Sequence, residues 1–244
     1  MAGCQALDLA KLTALFIETR TMSWTSKPLT VSLGVFALLA LSPLSAQAQA
    51  TSRTCQGQAG ETPGPACLVA HQDLGTPPPG PLYWNIYTFA DLPAAERVRP
   101  PHGAVVQAFG RVWLFDVGGK GLEREGGRHL ADIGPLPIEA APGELSAEYL
   151  KSTFAPGMTA PVHVHSGPEA FYAIRGASCL ETPAGVQVAR GEGHSLMVPR
   201  GPPMLLMAIG RETRQGFALI LHGESSPPTT LTSDWTPKGL CPKD

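Results

Sequence analysis

From Gly143 onward the chain is divided into short apolar segments of four to six residues, and turn-forming residues separate them. The segments are Val162–His165, Ala170–Arg175, Val186–Ala189, Ser195–Val198, Met204–Ala208 and Phe217–His222. Gly (27) and Pro (25) are plentiful among the 244 residues, whereas charged residues make up only 16%. Short strands at even spacing are typical of antiparallel sandwiches and barrels. We therefore predict an all-β fold of jelly-roll type.

The region before Gly143 adds strand-like segments at Tyr83–Phe89, Ala104–Phe109 and Arg111–Val117. The segment Glu148–Phe154 fits either a helix or a strand. Gly118–Gly121 reads GGKG, but it lacks the spacing of a phosphate-binding loop and a following helix, so we expect a connecting turn.

We expect four regions along the chain. Residues 1–50 are predicted to be a signal peptide, 51–82 an extended arm, 83–224 the barrel with its core motifs at 157–204, and 225–244 a tail on the outside. No internal repeat is evident, so one barrel with added N-terminal strands is expected rather than two barrels.

The N-terminal region has the layout of a secretory signal. Lys27 precedes an apolar run of 13 residues, Leu29–Leu41, and small residues with an A-x-A ending at Ala48 or Ala50 follow. A membrane span needs about 20 apolar residues, so no stable span is predicted. Translation from Met22 would give a signal of ordinary length. We expect a periplasmic or secreted protein, and the alternative for this run is a buried core helix.

Export would leave four cysteines, Cys55, Cys67, Cys179 and Cys241, in an oxidising compartment. Four cysteines allow three pairings. We predict Cys55–Cys67, closing a Gly/Pro-rich loop, and Cys179–Cys241, fixing the tail to the barrel. The alternative is that some remain free thiols.

Hydrophobic residues make up 43% of the chain, enough for a proper core, and the formal net charge is −2 with no long basic run. This composition indicates no nucleic-acid partner. We expect a small-molecule ligand or substrate instead.

The segment with the clearest chemistry is Pro156–Gly176. In a strand, residues i and i+2 point to the same face, so His163 and His165 point together. A turn at 166–168 then brings Glu169 to the start of the next strand, where it can lie across from both imidazoles. Two histidines and one carboxylate suit Fe, Mn, Ni or Zn as divalent ions, with Cu less suitable, and leave open coordination positions.

These residues resemble the first motif of the cupin superfamily at every marked position: Gly157, His163, His165, Glu169 and Gly176. Gly193, Pro199 and Gly201 resemble part of the second motif. The resemblance covers roughly residues 157 to 204. It implies a cupin-type antiparallel double-stranded β-helix, a metal-binding role, and the option of a homodimer formed through barrel strands.

The second motif departs from the cupin pattern at its last position. The resemblance implies a histidine as fourth ligand there, but this chain has Met204. A thioether is a weak ligand for hard ions, so a three-residue site with an apolar wall is expected. The alternatives are that His194 or His222 completes the site, or that the site is lost. His71, His102 and His129 are expected to be ordinary histidines.

Strand alternation predicts that Phe171 and Arg175 share the inward face of Glu169, and that Tyr172 faces outward. Phe171, Arg175 and Met204 are therefore candidate pocket residues. Two functions remain open: a metal-dependent enzyme, oxygenase- or isomerase-like, acting on a small organic molecule, or a non-catalytic module that binds a ligand or metal. The fold alone does not choose between them.

Overall fold

The computed structural model describes residues 54–55, 63–138 and 143–242, so the predicted signal segment lies outside the described residues. The strands are β1 Gly64–Gly75, β2 Tyr83–Phe89, β3 Ala104–Ala108, β4 Arg111–Gly118, β5 Arg128–Ile133, β6 Leu145–Phe154, β7 His163–His165, β8 Glu169–Arg175, β9 Ala177–Thr182, β10 Gly185–Arg190, β11 Ser195–Val198, β12 Leu205–Ile209, β13 Arg214–Gly223 and β14 Thr229–Leu231. One short helix, α1, spans Leu92–Arg97. Within the described part of the chain, no helix is long and apolar enough to cross a membrane.

Every segment predicted as a strand forms one, and the ambiguous Glu148–Phe154 is strand. Gly119 and Lys120 lie in the turn expected after β4. The elements that the sequence reasoning missed are α1, β1, β5, β9 and β14. The sequence did contain a signal for the start of α1, because Asp is a preferred N-cap residue. In the structure the side chain of Asp91 caps the helix by accepting from the Ala94 amide.

The central layer is a five-stranded antiparallel sheet in the order β1-β6-β13-β8-β11. Strand β13 lies in its middle and is buried along almost its whole length. Successive side chains point to opposite faces, so Phe217, Leu219 and Leu221 pack on one face while Ala218 and Ile220 pack on the other. Both faces are covered, which explains why this strand is apolar at nearly every position.

The inner face of this sheet closes a barrel against two smaller sheets, β10-β9-β12 and β14-β7. Leu150, Phe171 and Ile220 of the central sheet pack there with Leu180 of β9 and Leu206 of β12. This interior face carries Glu169, so the strands that build the apolar barrel core also build the candidate site.

The outer face of the central sheet is covered by an N-terminal sheet in the order β3-β4-β2-β5. Trp113 and Phe115 of β4 pack edge-on against Phe217, with ring centroids 5.0 and 4.9 Å apart. Tyr172 points away from the barrel interior, as its alternation predicts, but it is buried against Trp113 under this second sheet. Residues 83–133 thus form a layer outside the barrel, whereas the barrel region had been expected to start at residue 83.

The segment expected as an arm supplies an edge strand of the central sheet. Strand β1 pairs with β6 over Gly64–Gly75, with several register shifts along the pair. Residues of such a bulged strand do not follow a simple alternation, which is why the sequence showed no periodic pattern there.

Both predicted cysteine pairs are at bonding distance, Cys55 with Cys67 and Cys179 with Cys241. The second pair ties the tail to β9, and the buried Glu181 carboxylate of β9 accepts the amides of Lys238 and Leu240. The tail also contributes β14, which pairs with the histidine-bearing β7. It is therefore an integral part of the barrel wall beside the site.

Candidate metal centre

The hairpin of β7 and β8 brings His163, His165 and Glu169 together. Both histidines point inward from β7, and Glu169 is the first residue of β8. Gly167, in the connection between them, lies so close to β13 that an added Cβ would be 1.8 Å from the Leu221 carbonyl oxygen. The connection can therefore fold tightly against β13 only because residue 167 has no side chain.

The three side chains form a compact, buried group. One ligand atom from each residue lies within 4.8 Å of the others. Nε2 of His165 is 2.9 Å from Oε2 of Glu169, and the two imidazole centroids are 4.7 Å apart at a nearly perpendicular angle. His163, His165 and Glu169 are 8, 4 and 4% exposed. The prediction that the three residues face one interior point thus agrees with the geometry.

Backbone carbonyls orient both imidazoles. Nδ1 of His163 donates to the Pro161 carbonyl at 2.6 Å, and Nδ1 of His165 donates to the Pro228 carbonyl at 2.9 Å. A carbonyl oxygen only accepts, so each Nδ1 carries the proton and each Nε2 keeps its lone pair. Metal-binding histidines usually have this arrangement, in which the ring nitrogen that does not bind the metal donates to a carbonyl or carboxylate. Pro228 belongs to the tail, and nothing in its sequence indicated a role in the site.

The two histidines differ in electrostatics. Burial lowers the pKa of His163, and the neighbouring His165 adds to that effect. Burial is the largest single effect on His165 and opposes its protonation, but the Glu169 carboxylate, together with the Pro228 carbonyl and Glu148, raises the pKa of His165. A proton is thus attracted to the position between His165 and Glu169, where a metal cation would be attracted too.

Unpartnered atoms test whether these residues suit a metal. Nε2 of His165 and Oε2 of Glu169 are both buried, and although close to each other, neither makes a hydrogen bond of acceptable geometry. Burying a polar atom without a partner costs about 1–3 kcal/mol. A divalent cation bound by these atoms would remove that cost, so the residues fit a 2-His-1-carboxylate site.

A cavity of about 560 Å³ opens onto the three side chains. Its other walls are mostly apolar. They include Phe171, Leu206 and Ile220, together with the hydroxyl-bearing Ser152, Thr159 and Thr229. This volume is in the range of small-molecule sites.

Of the three candidate pocket residues, only Phe171 lines this cavity. Arg175 differs from expectation, because its side chain is 61% exposed and pairs with Glu212 at 2.5 Å. A register shift between Gln215 and Gly216 of β13 breaks the alternation of β8 before Arg175 is reached. Met204 is fully buried in the barrel core and is not among the cavity-lining residues, while its backbone pairs with that of His163.

Neither alternative fourth ligand belongs to the group. His194 is exposed. His222 is buried, but it gathers with His71 and Glu148 rather than with His163 and His165. Among the described residues, the group therefore consists of three candidate ligands.

Arg214 is a buried cation that sequence reasoning did not single out. It lies behind the cavity wall, donating from Nε to the Ser178 hydroxyl at 2.9 Å and from a terminal nitrogen to the Ser152 hydroxyl. Burial lowers the pKa of Arg214 to about 10, and the charge of Glu169 opposes this shift. The side chain thus stays charged at neutral pH and places positive charge near the cavity.

A larger open cavity, of about 870 Å³, lies elsewhere, along 88–93 and 107–112. It has no histidine in its lining, and the Asp91 carboxylate there already caps α1. The smaller cavity is therefore the better candidate for the functional site.

The antiparallel barrel, with two histidines and a glutamate of one hairpin inside it, agrees with the jelly-roll fold predicted from the sequence. No protein-family model matches the chain, and no curated protein matches its sequence.

Several solved structures are similar to parts of the chain. An oxalate oxidase is 19% identical over 35% of this chain and 46% of its own, with a TM-score of 0.31. The DMSP lyase DddQ from Ruegeria pomeroyi is 18% identical over 35% of this chain and 43% of its own, with a TM-score of 0.31. An RmlC-like cupin family protein from Methanocaldococcus jannaschii is 19% identical over 30% of this chain and 67% of its own, with a TM-score of 0.28. The alignments span less than half of the oxidase and lyase chains.

Proposed function

We propose that this chain is an exported cupin that binds one divalent metal ion through His163, His165 and Glu169 and acts as a metal-dependent enzyme on a small organic molecule. The observation that carries the proposal is the buried group of His163, His165 and Glu169 at the wall of a cavity of about 560 Å³, in which Nε2 of His165 and Oε2 of Glu169 face each other at 2.9 Å without a hydrogen bond. The two disulfides support an oxidising compartment, periplasmic or extracellular.

The donor set supports Fe, Mn, Ni or Zn as the ion. Three protein ligands leave coordination positions that face the cavity, and such an ion, when bound, would supply Lewis-acid polarisation of a carbonyl or a place for dioxygen. Met204 packs in the core and is not one of the ligands, so the group offers only imidazole and carboxylate and Cu is the less suitable metal.

The surrounding residues would bind and orient the organic molecule. Phe171, Leu206 and Ile220 exclude water and favour an apolar body. The Ser152 hydroxyl accepts from the Arg214 guanidinium, so its own proton is available to donate to an oxygen in the cavity. The preferred molecule is therefore compact and mostly apolar, with an oxygen acceptor directed toward Ser152.

One observation favours a second candidate, a non-catalytic binding module. Among the described residues that line the cavity, the titratable side chains are the three metal ligands themselves. No further carboxylate, histidine, lysine or tyrosine is there to serve as a separate general acid or base. A reaction that needs such a group would have to take it from the substrate or from water.

Metal content tests the proposal most directly. The full chain, purified with its disulfides formed, and the variants His163→Ala and Glu169→Gln should be dialysed together and measured for metals by mass spectrometry. We expect each variant to hold about one metal equivalent less than the wild type, while His194→Ala, an exposed control, should hold as much as the wild type. Equal metal content in all four proteins would overturn the proposal.

Activity separates the enzyme from the binding module. Oxygen consumption and substrate loss should be followed with the metal-loaded protein against a panel of phenols and thiols. Turnover that His163→Ala abolishes supports the enzyme, whereas saturable binding with no turnover across the panel supports the module.

A further inference from the structure

A second group of metal-ligand residues lies on the central sheet. His71 of β1 is directly opposite Glu148 of β6, and Glu148 is opposite Ile220 of β13, two residues before His222. Directly opposite residues of neighbouring strands share a face, so all three side chains project from the face that carries Glu169. One ligand atom from each of His71, Glu148 and His222 lies within 4.8 Å of the others.

His222 is the most informative member of this group. It is only 4% exposed, and Nδ1 donates to the Gly223 carbonyl at 2.9 Å. That hydrogen bond leaves the lone pair on Nε2, which is buried and has no hydrogen-bond partner. A buried imidazole nitrogen that is oriented by a carbonyl and otherwise unsatisfied has the arrangement of a metal ligand.

The surroundings of the group are negative. The Asp73 carboxylate lies 2.9 Å from Nε2 of His71 and accepts from the Ser146 hydroxyl at 3.3 Å. The Glu224 amide donates to the Glu144 carbonyl at 3.0 Å, and the nearby Glu144 side chain, with a smaller contribution from Asp73, raises the pKa of Glu224. Several carboxylates at one end of three strands favour a cation over an anion or a neutral ligand.

We propose that His71, Glu148 and His222 form a second divalent-metal site, suited to a borderline ion such as Zn²⁺, which cross-links β1, β6 and β13. Two imidazoles and one carboxylate are ligands that Zn²⁺ accepts. Because His71 is exposed, water can reach the fourth coordination position of the ion. Glu148 and Glu169 are two strands apart, roughly 10 Å between main chains, and the two groups have no residue in common, although the charge of Glu148 acts on His165 of the first group.

The consequence for the fold concerns β1. This edge strand has register shifts along its pairing with β6, and the Cys55–Cys67 disulfide near its start joins it only to the preceding segment. A metal ion held jointly by β1, β6 and β13 would fix the far half of β1 to the sheet. We therefore expect Zn²⁺ to raise the melting temperature through this site.

The test uses the full chain with both disulfides formed and a background without the first centre, His163→Ala with His165→Ala. Equilibrium dialysis against Zn²⁺ should show one bound equivalent in this background, together with a Zn²⁺-dependent rise in melting temperature. Adding His71→Ala, at an exposed position, should weaken Zn²⁺ binding at least tenfold and abolish the thermal shift. His222→Gln should do the same, and His194→Ala should change neither.

The outcomes separate the two sites. If the background binds no Zn²⁺ at micromolar concentration, or if neither His71→Ala nor His222→Gln weakens its binding, the second site does not exist. If His222→Gln fails to fold, His71→Ala decides. Loss of the first centre in the earlier experiment has no bearing on this result, because the background already lacks it.

Discussion

At the scale of single residues, Gly167 sets how closely the histidine hairpin approaches β13. Gly167→Ala would place a methyl group 1.8 Å from a backbone oxygen of Leu221, which neither strand can avoid without moving. We expect the free energy of unfolding to fall by about 3 kcal/mol and metal binding at His163, His165 and Glu169 to be lost. Urea unfolding and metal analysis would measure both effects.

Gly157→Ala is the matched control in the same motif. Gly157 has φ +81° but nothing within 4 Å of an added Cβ, so only backbone strain of about 1–2 kcal/mol is expected, with metal binding kept. If both variants behaved alike, the close approach at Gly167 would not be the constraint that the geometry indicates.

The His165–Glu169 pair predicts how the metal-free protein responds to pH. Burial opposes protonation of His165, but the pKa of His165 is raised on folding because Glu169 above all, with Pro228 and Glu148, favours the charged imidazolium. A raised pKa stabilises the folded state below the unfolded value, about 6.5 for histidine, and this contribution is lost as pH rises through the raised value. In EDTA, the free energy of unfolding should therefore decrease as the pH is raised above about 6.5.

Glu169→Gln is the comparison for this pH dependence. Without the carboxylate charge, the pKa of His165 is no longer raised, and the decrease above pH 6.5 should disappear. The lowered pKa of His163 affects the free energy of unfolding only below about pH 6.5. The two proteins should therefore be compared above that pH. Parallel urea titrations of both proteins in EDTA would give the answer, and identical slopes would contradict it.

At the scale of elements, the tail and its disulfide hold one side of the site. The Cys179–Cys241 bond spans 62 residues, and β14 and the Pro228 carbonyl lie within that loop. Replacing both cysteines with serine should destabilise the protein by about 4 kcal/mol. It should also weaken metal binding about tenfold or more, because the carbonyl that orients His165 loses its anchor.

The other disulfide provides the control. Cys55–Cys67 spans 12 residues, so its removal should cost about 3 kcal/mol. None of the three ligands of the first centre, nor the carbonyls that orient them, lies on β1. Metal binding at that centre should therefore persist. Isothermal titration with Zn²⁺ or Mn²⁺ would distinguish the two double variants, and equal losses would show that the tail has no special role.

At the scale of the whole molecule, the two large sheets share one aromatic core. Phe217 of the central sheet has no exposed surface, and its ring contacts Phe109, Trp113 and Phe115 of the N-terminal layer. Phe217→Ala should lower the free energy of unfolding by about 3–5 kcal/mol. The unfolding transition should remain single, because both layers lose the same core.

Val188→Ala, at a surface position of β10, should change stability by less than about 0.5 kcal/mol. Denaturation followed by tryptophan fluorescence and by circular dichroism would test the cooperativity. Trp84 and Trp113 lie in the N-terminal layer and Trp235 lies in the tail, so a Trp235→Phe background removes the tail's contribution to the fluorescence, whereas circular dichroism reports on all strands. Two separated transitions would mean that the N-terminal layer unfolds independently.

Much of this architecture could be predicted from the sequence. Short apolar segments between turn formers predict strands, because a strand needs only a local pattern of period two and a break at each end. The offsets of His163, His165 and Glu169 likewise follow from strand geometry. Strand β1 was missed because its register shifts remove the alternation, and β14 was missed because its Pro-rich surroundings resemble a loop.

The sequence by itself determined the all-β class and the hairpin that carries the three candidate ligands. For the cysteines it only favoured one of three pairings, which the structure then confirmed. Only the tertiary structure decided what surrounds them. In the folded protein, Arg175 is exposed to solvent and Met204 is buried in the core. A carbonyl of the tail orients His165, and His71, Glu148 and His222 of three strands lie close together. The physical reason is distance along the chain. Alternation fixes the direction of side chains within one strand, whereas contacts between strands depend on register, and register is set by packing across the whole sheet.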